Sequence, residues 1–376
     1  MNLLITGDFY ISDDFRGKDL FDSSIIALFN HADYRIVNLE APVTIKNKQN
    51  RILKTGPHLH TTQETTVPAL KRLNIDLVTL ANNHIMDYGQ PGLLDTLTSL
   101  KSAKIGTVGA SLNLLQATKP FVLEKDGVRI AILNFAENEW ASASHDKAGA
   151  NPLDVIENLK QIHEATKISE FIIVIIHGGH EYFHFPSPLM VKRYRFYAEC
   201  GASVIVGHHP HCISGCEVYK GVPIFYSLGN FVFTIPSRFE AWYTGTILDL
   251  HLKRDKEISW DLIPVSQSKS NHAVTRLEGE EKEIIRSEVD KYSKIIADKA
   301  LLSQRWKTFL SDRKKDYLNI FNPINFIQNQ YIKYGITKLG LDRFFIRKKH
   351  YAQILNHLRC EALAEASKDV IGHFLE

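Results

Sequence analysis

The sequence is poor in cysteine and in long apolar runs, and its charges nearly cancel. Its four cysteines form no Cys-x-x-Cys pair, which fits a reducing compartment and argues against a disulfide-dense secreted domain. No apolar run approaches the ~20 residues that span a bilayer. The net charge of +3 argues against a nucleic-acid-binding surface. The chain enters an apolar strand pattern at once, so we expect no secretory signal peptide and a cytoplasmic protein.

Three histidines crowd into four positions after the apolar run at residues 204–206. His208, His209 and His211 follow Gly207 directly. Each neutral imidazole needs partners for its ring nitrogens, and a divalent cation can satisfy several imidazoles at once. Taken alone, the cluster fits either a metal site or a histidine-rich surface loop.

The same arrangement recurs along the chain, where five apolar runs end in residues that can bind metals. Nearly continuous aliphatic runs predict strands buried on both faces, and helical patterns between them predict parallel pairing. Ligands of such α/β sheets collect beyond the carboxyl ends of the strands. The pattern therefore predicts one shared site. The residues that follow or end these runs are Asp8, Glu40, Asn83 with His84, His177, and the histidine cluster.

A change of composition near residue 270 predicts two regions. Every motif lies in residues 1–270, and the polar stretch 267–274 leads into a charged, mainly helical pattern over residues 271–376. Within that second region, residues 331–351 are basic and aromatic. We favour a helix that packs on its own domain, with a helix lying on an anionic membrane surface as the alternative.

The motifs together resemble the CapA family of capsule, or poly-gamma-glutamate, synthesis proteins, a branch of the calcineurin-like metallophosphoesterases. This resemblance implies an α/β fold, a four-layer α/β/β/α sandwich of two mixed sheets, with a two-metal centre at one end of the sheets. The matching motifs are GDFYI at 7–11, NLEAPVT at 38–44, LANNHIMDYG at 80–89, HGGHEY at 177–182 and GHHPHCISGCEVYKGVPIFYSLGNFVF at 207–233.

The resemblance also implies a ligand set for two divalent ions, with manganese, iron and zinc as candidates. Glu40 stands where an aspartate normally bridges the two metals. Tyr10 stands where the superfamily usually has a histidine, so that ligand is lost or replaced. The ligands carried over by position are Asp8, Glu40, Asn83, His177, His209 and His211.

Further residues are expected to act on the substrate. In the resembled enzymes the histidine at the position of His84 protonates the leaving group or stabilises charge on the phosphoryl oxygens. Asp87 either orients that histidine or caps the next helix. Asn230 either contacts substrate or fixes its own loop by hydrogen bonds. The remaining residues expected to line the pocket are His208, Glu181 and Tyr182.

The function that these features imply is metal-dependent hydrolysis of a phosphoester or related bond during bacterial capsule or poly-gamma-glutamate biosynthesis. Two alternatives stay open, a non-hydrolytic polymer-binding component of a poly-gamma-glutamate synthase and a metal-loaded scaffold. The substrate would be a small molecule or a polymer, and the C-terminal helices would meet a membrane or a capsule-synthase partner.

Capsule members of the family usually carry an N-terminal membrane anchor, and no such pattern is present in this sequence. We therefore expect a cytoplasmic protein or one peripheral to the inner face of the membrane.

Overall fold

The apolar runs of the sequence form the central strands of two β-sheets in this computed structural model. The structure describes residues 1–45, 47–54, 56–313, 324, 327–345, 351, 354 and 358. Two compact units are present, unit 1 over Met1–Gln304 and unit 2 over Arg305–Glu376.

The strands and helices alternate through most of unit 1. The strands are β1 (Asn2–Tyr10), β2 (Tyr34–Leu39), β3 (Leu77–Thr79), β4 (Gly106–Val108), β5 (Ala110–Ser111), β6 (Phe121–Lys125), β7 (Val128–Ala136), β8 (Gly149–Ala150), β9 (Phe171–His177), β10 (Val204–His208), β11 (Cys216–Tyr219), β12 (Val222–Phe225), β13 (Asn230–Phe233), β14 (Thr244–Leu252), β15 (Ile258–Gln267) and β16 (Val274–Arg276). The helices are α1 (Ser23–His31), α2 (Gln63–Arg72), α3 (Gly89–Ser102), α4 (Leu114–Ala117), α5 (Val155–Thr166), α6 (Pro188–Glu199), α7 (Gly279–Ala297), α8 (Lys299–Asp312) and α9 (Gln330–Lys338).

Both large sheets are mixed, with parallel strands at their centres. Sheet 1 has the order β16-β15-β14-β1-β2-β3-β4, and β13 also pairs with β1. Sheet 2 has the order β11-β12-β10-β9-β7-β6. Strands β1 to β4 are mutually parallel, as are β7, β9, β10 and β12, whereas the hairpin strands at the edges are antiparallel. This mixed α/β topology confirms the predicted fold class.

Alternation of side chains along the strands produces three buried layers. Between the sheets, Ile5 of β1 and Ile173 of β9 belong to one apolar cluster. The neighbouring side chain Leu4 shares a second cluster with Phe29 of α1, on the outer face of sheet 1. On the outer face of sheet 2, Val174 shares a third cluster with residues of α5 and α6. The layers therefore run helix, sheet, sheet, helix, because successive side chains of a strand point to opposite faces.

Unit 1 extends beyond residue 270, the boundary expected from composition. Strand β16 adds to sheet 1 by pairing with β15, with Val265 opposite Arg276. Helix α7 then packs beside β11, where the Cys216 amide donates to Ser293 Oγ at 2.9 Å. Val289 of α7 is also buried. These contacts place β16 and α7 in the same packed unit as the sheets.

The described part of unit 2 includes α9 and the turn that follows it. None of the residues of α9 is buried. Some side chains of residues 330–345, such as Ile336, are half-buried, so the packing of this basic and aromatic segment on its own domain stays a prediction, and residues 346–350 lie outside the described chain. Among the helices that the structure describes, none is both long and apolar enough to cross a membrane.

Candidate metal centre

The candidate centre lies where the carboxyl ends of parallel strands from both sheets meet. Sheet 1 contributes residues at the ends of β1, β2 and β3, and sheet 2 contributes residues at the ends of β9 and β10. The two sheets are joined at this point because the His209 amide donates to Asp8 Oδ2 at 3.2 Å. The ligand-type residues brought together here are Asp8, Glu40, Asn83, His177, His209 and His211.

A first group of atoms surrounds Nε2 of His177. Asn83 Oδ1 and His209 Nδ1 each lie 3.1 Å from that nitrogen, and Glu40 Oε1 lies 3.6 Å from it. Carboxylate and amide oxygens carry lone pairs, as does an unprotonated ring nitrogen. A single N–H can satisfy at most one of these three neighbours well. Glu40, His177 and His209 form one of two groups whose geometry could hold a metal ion.

Asp8, Glu40 and His211 form the second group. His211 Nδ1 lies 3.4 Å from Asp8 Oδ2, while its Nε2 lies 3.6 Å from Glu40 Oε1. Both His209 and His211 have positive φ angles, 95° and 54°. Such backbone conformations are unfavourable for residues other than glycine and are often found at functional sites. Here they accompany the placement of His209 and His211 in the two ligand groups that share Glu40.

Glu40 belongs to both groups and has the environment expected of a bridging ligand. Its side chain is fully buried, and neither carboxylate oxygen makes a hydrogen bond. Burial, followed by the negative charge of Asp8, raises the pKa of Glu40 well above its ordinary range. An orphaned buried carboxylate is costly unless it is protonated or bound to a cation. Divalent cations therefore fit this donor set.

The pKa values of the histidines shift in different directions. Burial lowers the pKa of His177 well below its ordinary value, and it lowers the pKa of His209 to about 3, with His211 adding to the effect. Both rings are thus neutral near pH 7, as metal ligands must be. Burial also acts to lower the pKa of His211, but its hydrogen bond and charge interaction with Asp8 outweigh burial and raise it.

His84 lies beside this centre in a different hydrogen-bond network. Its Nδ1 is 2.7 Å from Asp87 Oδ2, and Lys54 Nζ is 3.2 Å from the same ring nitrogen. Lys54 also forms a buried ion pair with Asp87 Oδ1, and the Leu59 amide donates to Asp87 Oδ2 at 2.7 Å. Asp87 therefore orients the His84 ring, which was one of its two expected roles. Burial lowers the pKa of His84, although Asp87 acts in the opposite direction.

Two residues in and around the candidate centre, Asn38 and Lys54, were not among the site residues chosen from the sequence. Asn38 Nδ2 donates to Asp8 Oδ1 at 2.7 Å and lies 3.2 Å from His177 Nδ1, so it links the two sheets. The sequence feature that could have identified Asn38 is its position in the Asn-Leu-Glu motif at the end of β2. Lys54 comes from a long polar loop without periodic pattern, and no sequence signal indicated that its ammonium group is buried against Asp87.

The four residues expected to bind substrate have different surroundings. His208 is 1% exposed, so contact with a substrate would require rearrangement of the side chains around it. Glu181 is exposed, and Tyr182 is half-buried and stacked on Phe239 with ring centroids 4.1 Å apart. Asn230 Oδ1 lies 2.9 Å from His211 Nδ1, and its amide donates to the Trp242 carbonyl. Asn230 thus fixes its loop and His211.

Tyr10 occupies the position where a histidine was expected from the resemblance. Its hydroxyl donates to the His60 carbonyl at 3.1 Å, and its ring packs 5.1 Å from Phe233. The side chain belongs to a buried aromatic cluster that also contains Trp242. Tyr10 therefore has a packing role in this structure and leaves the donor set one imidazole smaller.

Fold and site together define an α/β/β/α protein with Asp, Glu, Asn and His donors gathered at the carboxyl ends of its parallel strands. The chain belongs to the family described as bacterial capsule synthesis protein PGA_cap, whose model matches residues 3–235. That match includes every residue of the candidate centre.

Individual relatives agree with this family. The chain is 33% identical over 278 residues to the PGA biosynthesis protein CapA of Bacillus subtilis, covering 72% of this chain and 71% of the relative. It is 32% identical over 260 residues to the capsule biosynthesis protein CapA of Bacillus anthracis, covering 66% of this chain and 62% of the relative. Among solved structures, the 5'-nucleotidase of Candida albicans matches with a TM-score of 0.38 and 14% identity, over 84% of this chain and 57% of that chain.

Proposed function

We propose that this protein is a metal-dependent hydrolase of phosphoester or related bonds that acts in capsule or polyglutamate biosynthesis. The observation that carries the proposal is the position of Glu40 in both candidate ligand groups. A carboxylate within reach of two cations would hold both of them in one centre, as two-metal hydrolytic sites require. The pathway is inferred from the names of the two CapA relatives, which place those proteins in PGA and capsule biosynthesis.

The proposed chemistry assigns a binding role to the buried donors. When bound, two divalent cations would act as Lewis acids toward a phosphoryl or related centre. Glu40 would bridge them, with Asn83, His177 and His209 on one side and Asp8 and His211 on the other. Asn38 and Asn230 would hold the rings of His177 and His211 in place through the hydrogen bonds described above.

His84 is the proposed proton donor to the leaving group. Its Nδ1 is engaged by Asp87, so Nε2 is the ring nitrogen available to a substrate. Burial keeps the free imidazole neutral, because it lowers the pKa of His84. A bound anionic substrate would add negative charge beside the ring, which favours its protonated form. Asp87 would then stabilise the imidazolium, as a buried carboxylate does for histidine in other hydrolytic sites.

The proposal is tested by metal analysis of the purified protein followed by assay on phosphomonoesters, phosphodiesters and gamma-glutamyl peptides. We expect a metal-loaded protein that cleaves at least one phosphoester, and we expect Glu40→Ala to lose both metal and turnover. His163→Ala is a matched control, since His163 is exposed on α5.

One outcome would redirect the proposal. A metal-loaded protein that binds polyglutamate without cleaving any member of the panel would favour the non-hydrolytic, polymer-binding alternative. Absence of metal together with absence of turnover would contradict the proposed hydrolase.

A further inference from the structure

A cluster of apolar and aromatic side chains in unit 2 is exposed to solvent. The most exposed of them is Tyr331, at 88%, followed by Leu339 at 72%. We call residues 330–345 the basic aromatic segment; it comprises α9 and the turn that follows. Single exposed apolar residues are ordinary, but a continuous set on one short segment indicates a binding surface. Its exposed apolar members are Tyr331, Ile332, Tyr334, Leu339, Leu341, Phe344 and Phe345.

The aliphatic residues of α9 share one side of the helix. With 3.6 residues per turn, Ile332, Ile336 and Leu339 lie along one stripe. Tyr334 and Thr337 lie on the opposite side, and Lys333 and Lys338 lie between the two sides. The helix is therefore amphipathic even though none of its residues is buried. An amphipathic helix that exposes its apolar side has the form of helices that lie in a membrane interface.

The sequence that carries these apolar side chains is rich in basic residues. From residue 330 to residue 351 the sequence has six lysine and arginine residues against one acidic residue, Asp342. Lys338 Nζ lies 5.8 Å from the ring centroid of Tyr334, and the Arg343 guanidinium lies 5.4 Å from the ring of Phe344. Lysine and arginine at such positions can place their charge at headgroup level while their aliphatic stems stay beside apolar surface.

We propose that the basic aromatic segment docks this protein on an anionic lipid surface. Two features favour a membrane over a protein partner. The apolar side chains protrude from a short helix and turn, as insertion into a lipid interface requires. The accompanying charge is almost entirely positive, which complements anionic headgroups. Tyrosine and phenylalanine beside lysine and arginine are also the residues enriched at membrane interfaces. The proposal concerns a surface outside the candidate metal centre and does not depend on its activity.

Co-sedimentation of the full chain with lipid vesicles tests the proposal. We expect binding to vesicles that contain about one-third phosphatidylglycerol, weak binding to pure phosphatidylcholine, and loss of binding at high salt because surface charges are screened. Removing two charges with Lys338→Gln and Arg343→Gln should weaken binding about 25-fold, since each basic residue near an anionic surface contributes about fivefold. Phe344→Ser with Phe345→Ser should weaken binding by at least tenfold.

Leu115→Ser is the matched control, because Leu115 is 76% exposed on α4 in unit 1 and should not affect vesicle binding. Thermal unfolding and metal content confirm that each variant is folded. If the Lys338→Gln, Arg343→Gln variant and the Phe344→Ser, Phe345→Ser variant bind anionic vesicles as tightly as the Leu115→Ser control, the proposal is overturned. Equal affinity of the unmodified chain for neutral and anionic vesicles would also overturn it. If the chain does not bind vesicles but forms concentration-dependent dimers, and the same substitutions abolish those dimers, the surface binds a second copy of the chain instead.

Discussion

At the residue scale, the candidate centre is defined by polar atoms that lack ordinary partners. The two oxygens of Glu40 are buried without a hydrogen bond, and three potential acceptors converge on His177 Nε2. Packed protein interiors rarely leave such atoms unpaired. A cation placed among them would satisfy the carboxylate and the imidazoles together, which is why the metal interpretation accounts for more of the geometry than a network of hydrogen bonds does.

His84→Ala should reduce turnover roughly 10²–10⁴-fold, the usual contribution of a general acid or base. Metal content should stay unchanged, because His84 is paired with Asp87 and belongs to neither ligand group. Turnover and metal content measured on the same preparation check this. If the variant loses its metal, His84 is a ligand and the proposed division of roles is wrong.

Asn230→Ala should lower metal affinity by about 10–100-fold, the typical effect of removing a partner that orients a ligand. The reason is the contact between Asn230 Oδ1 and His211 Nδ1 at 2.9 Å. Asn230→Asp keeps an acceptor at that position and should recover most of the affinity. Titration of the metal-free variants with manganese distinguishes them. If Asn230 has a purely structural role, Asn230→Ala and Asn230→Asp should lose the same amount of metal affinity.

At the scale of elements, the centre depends on the close approach of β1 to the segment before β13. Asp8 N donates to the Gly229 carbonyl at 3.1 Å, and Asp8 is opposite Asn230 in the parallel pairing of β1 with β13. A Cβ on Gly7 would clash with that carbonyl oxygen. Glycine at this position therefore allows Asp8 and Asn230, both of which contact His211, to lie side by side.

Gly7→Ala should separate these two segments, with a loss of about 1–3 kcal/mol in the free energy of unfolding. Metal affinity should fall with it, since Asp8 moves away from His211. Gly335→Ala is the control, because a Cβ there meets open space in α9 and alanine favours a helix. Chemical denaturation and metal titration check both variants. Unchanged metal binding in Gly7→Ala would show that the close approach does not position Asp8.

The elements also show what sequence reasoning could reach. The strand ends were predictable because each buried run is continuous and ends in a ligand-type residue, as with Ile172 to His177. Strand β16 could not be predicted, because a strand of only three residues shows no periodic pattern. Its partner β15 also lies on the far side of a polar loop. The burial of Lys54 depends on a long loop folding back onto Asp87, a non-local contact without a local pattern.

At the scale of the whole molecule, the extent of unit 1 decides which part of the chain supports the centre. Composition places a boundary near residue 270, whereas the packed unit continues through β16 and α7 to Gln304. Helix α7 buries Val289, Ile295 and Ile296. Full burial of each such side chain contributes about 1.5–3 kcal/mol, so loss of this helix would remove much of a domain's net stability.

A chain that ends after Gln304 should therefore remain soluble, bind metal and unfold cooperatively. A chain that ends after Val265 lacks β16 and α7 and should be insoluble or strongly destabilised. Expression of both, followed by thermal unfolding and metal analysis, checks the difference. If the chain that ends after Val265 melts near the full-length temperature, β16 and α7 contribute little and the boundary near 270 describes a folding unit.

The proposal that Glu40 bridges two cations is tested most directly by the metal-to-protein ratio. The measurement is elemental analysis of the chain after saturation with manganese and removal of unbound metal by gel filtration. The proposed centre predicts two ions per wild-type chain and fewer in Glu40→Ala, since Glu40 belongs to both ligand groups. A ratio of one in the wild type, unchanged by Glu40→Ala, would contradict the shared centre.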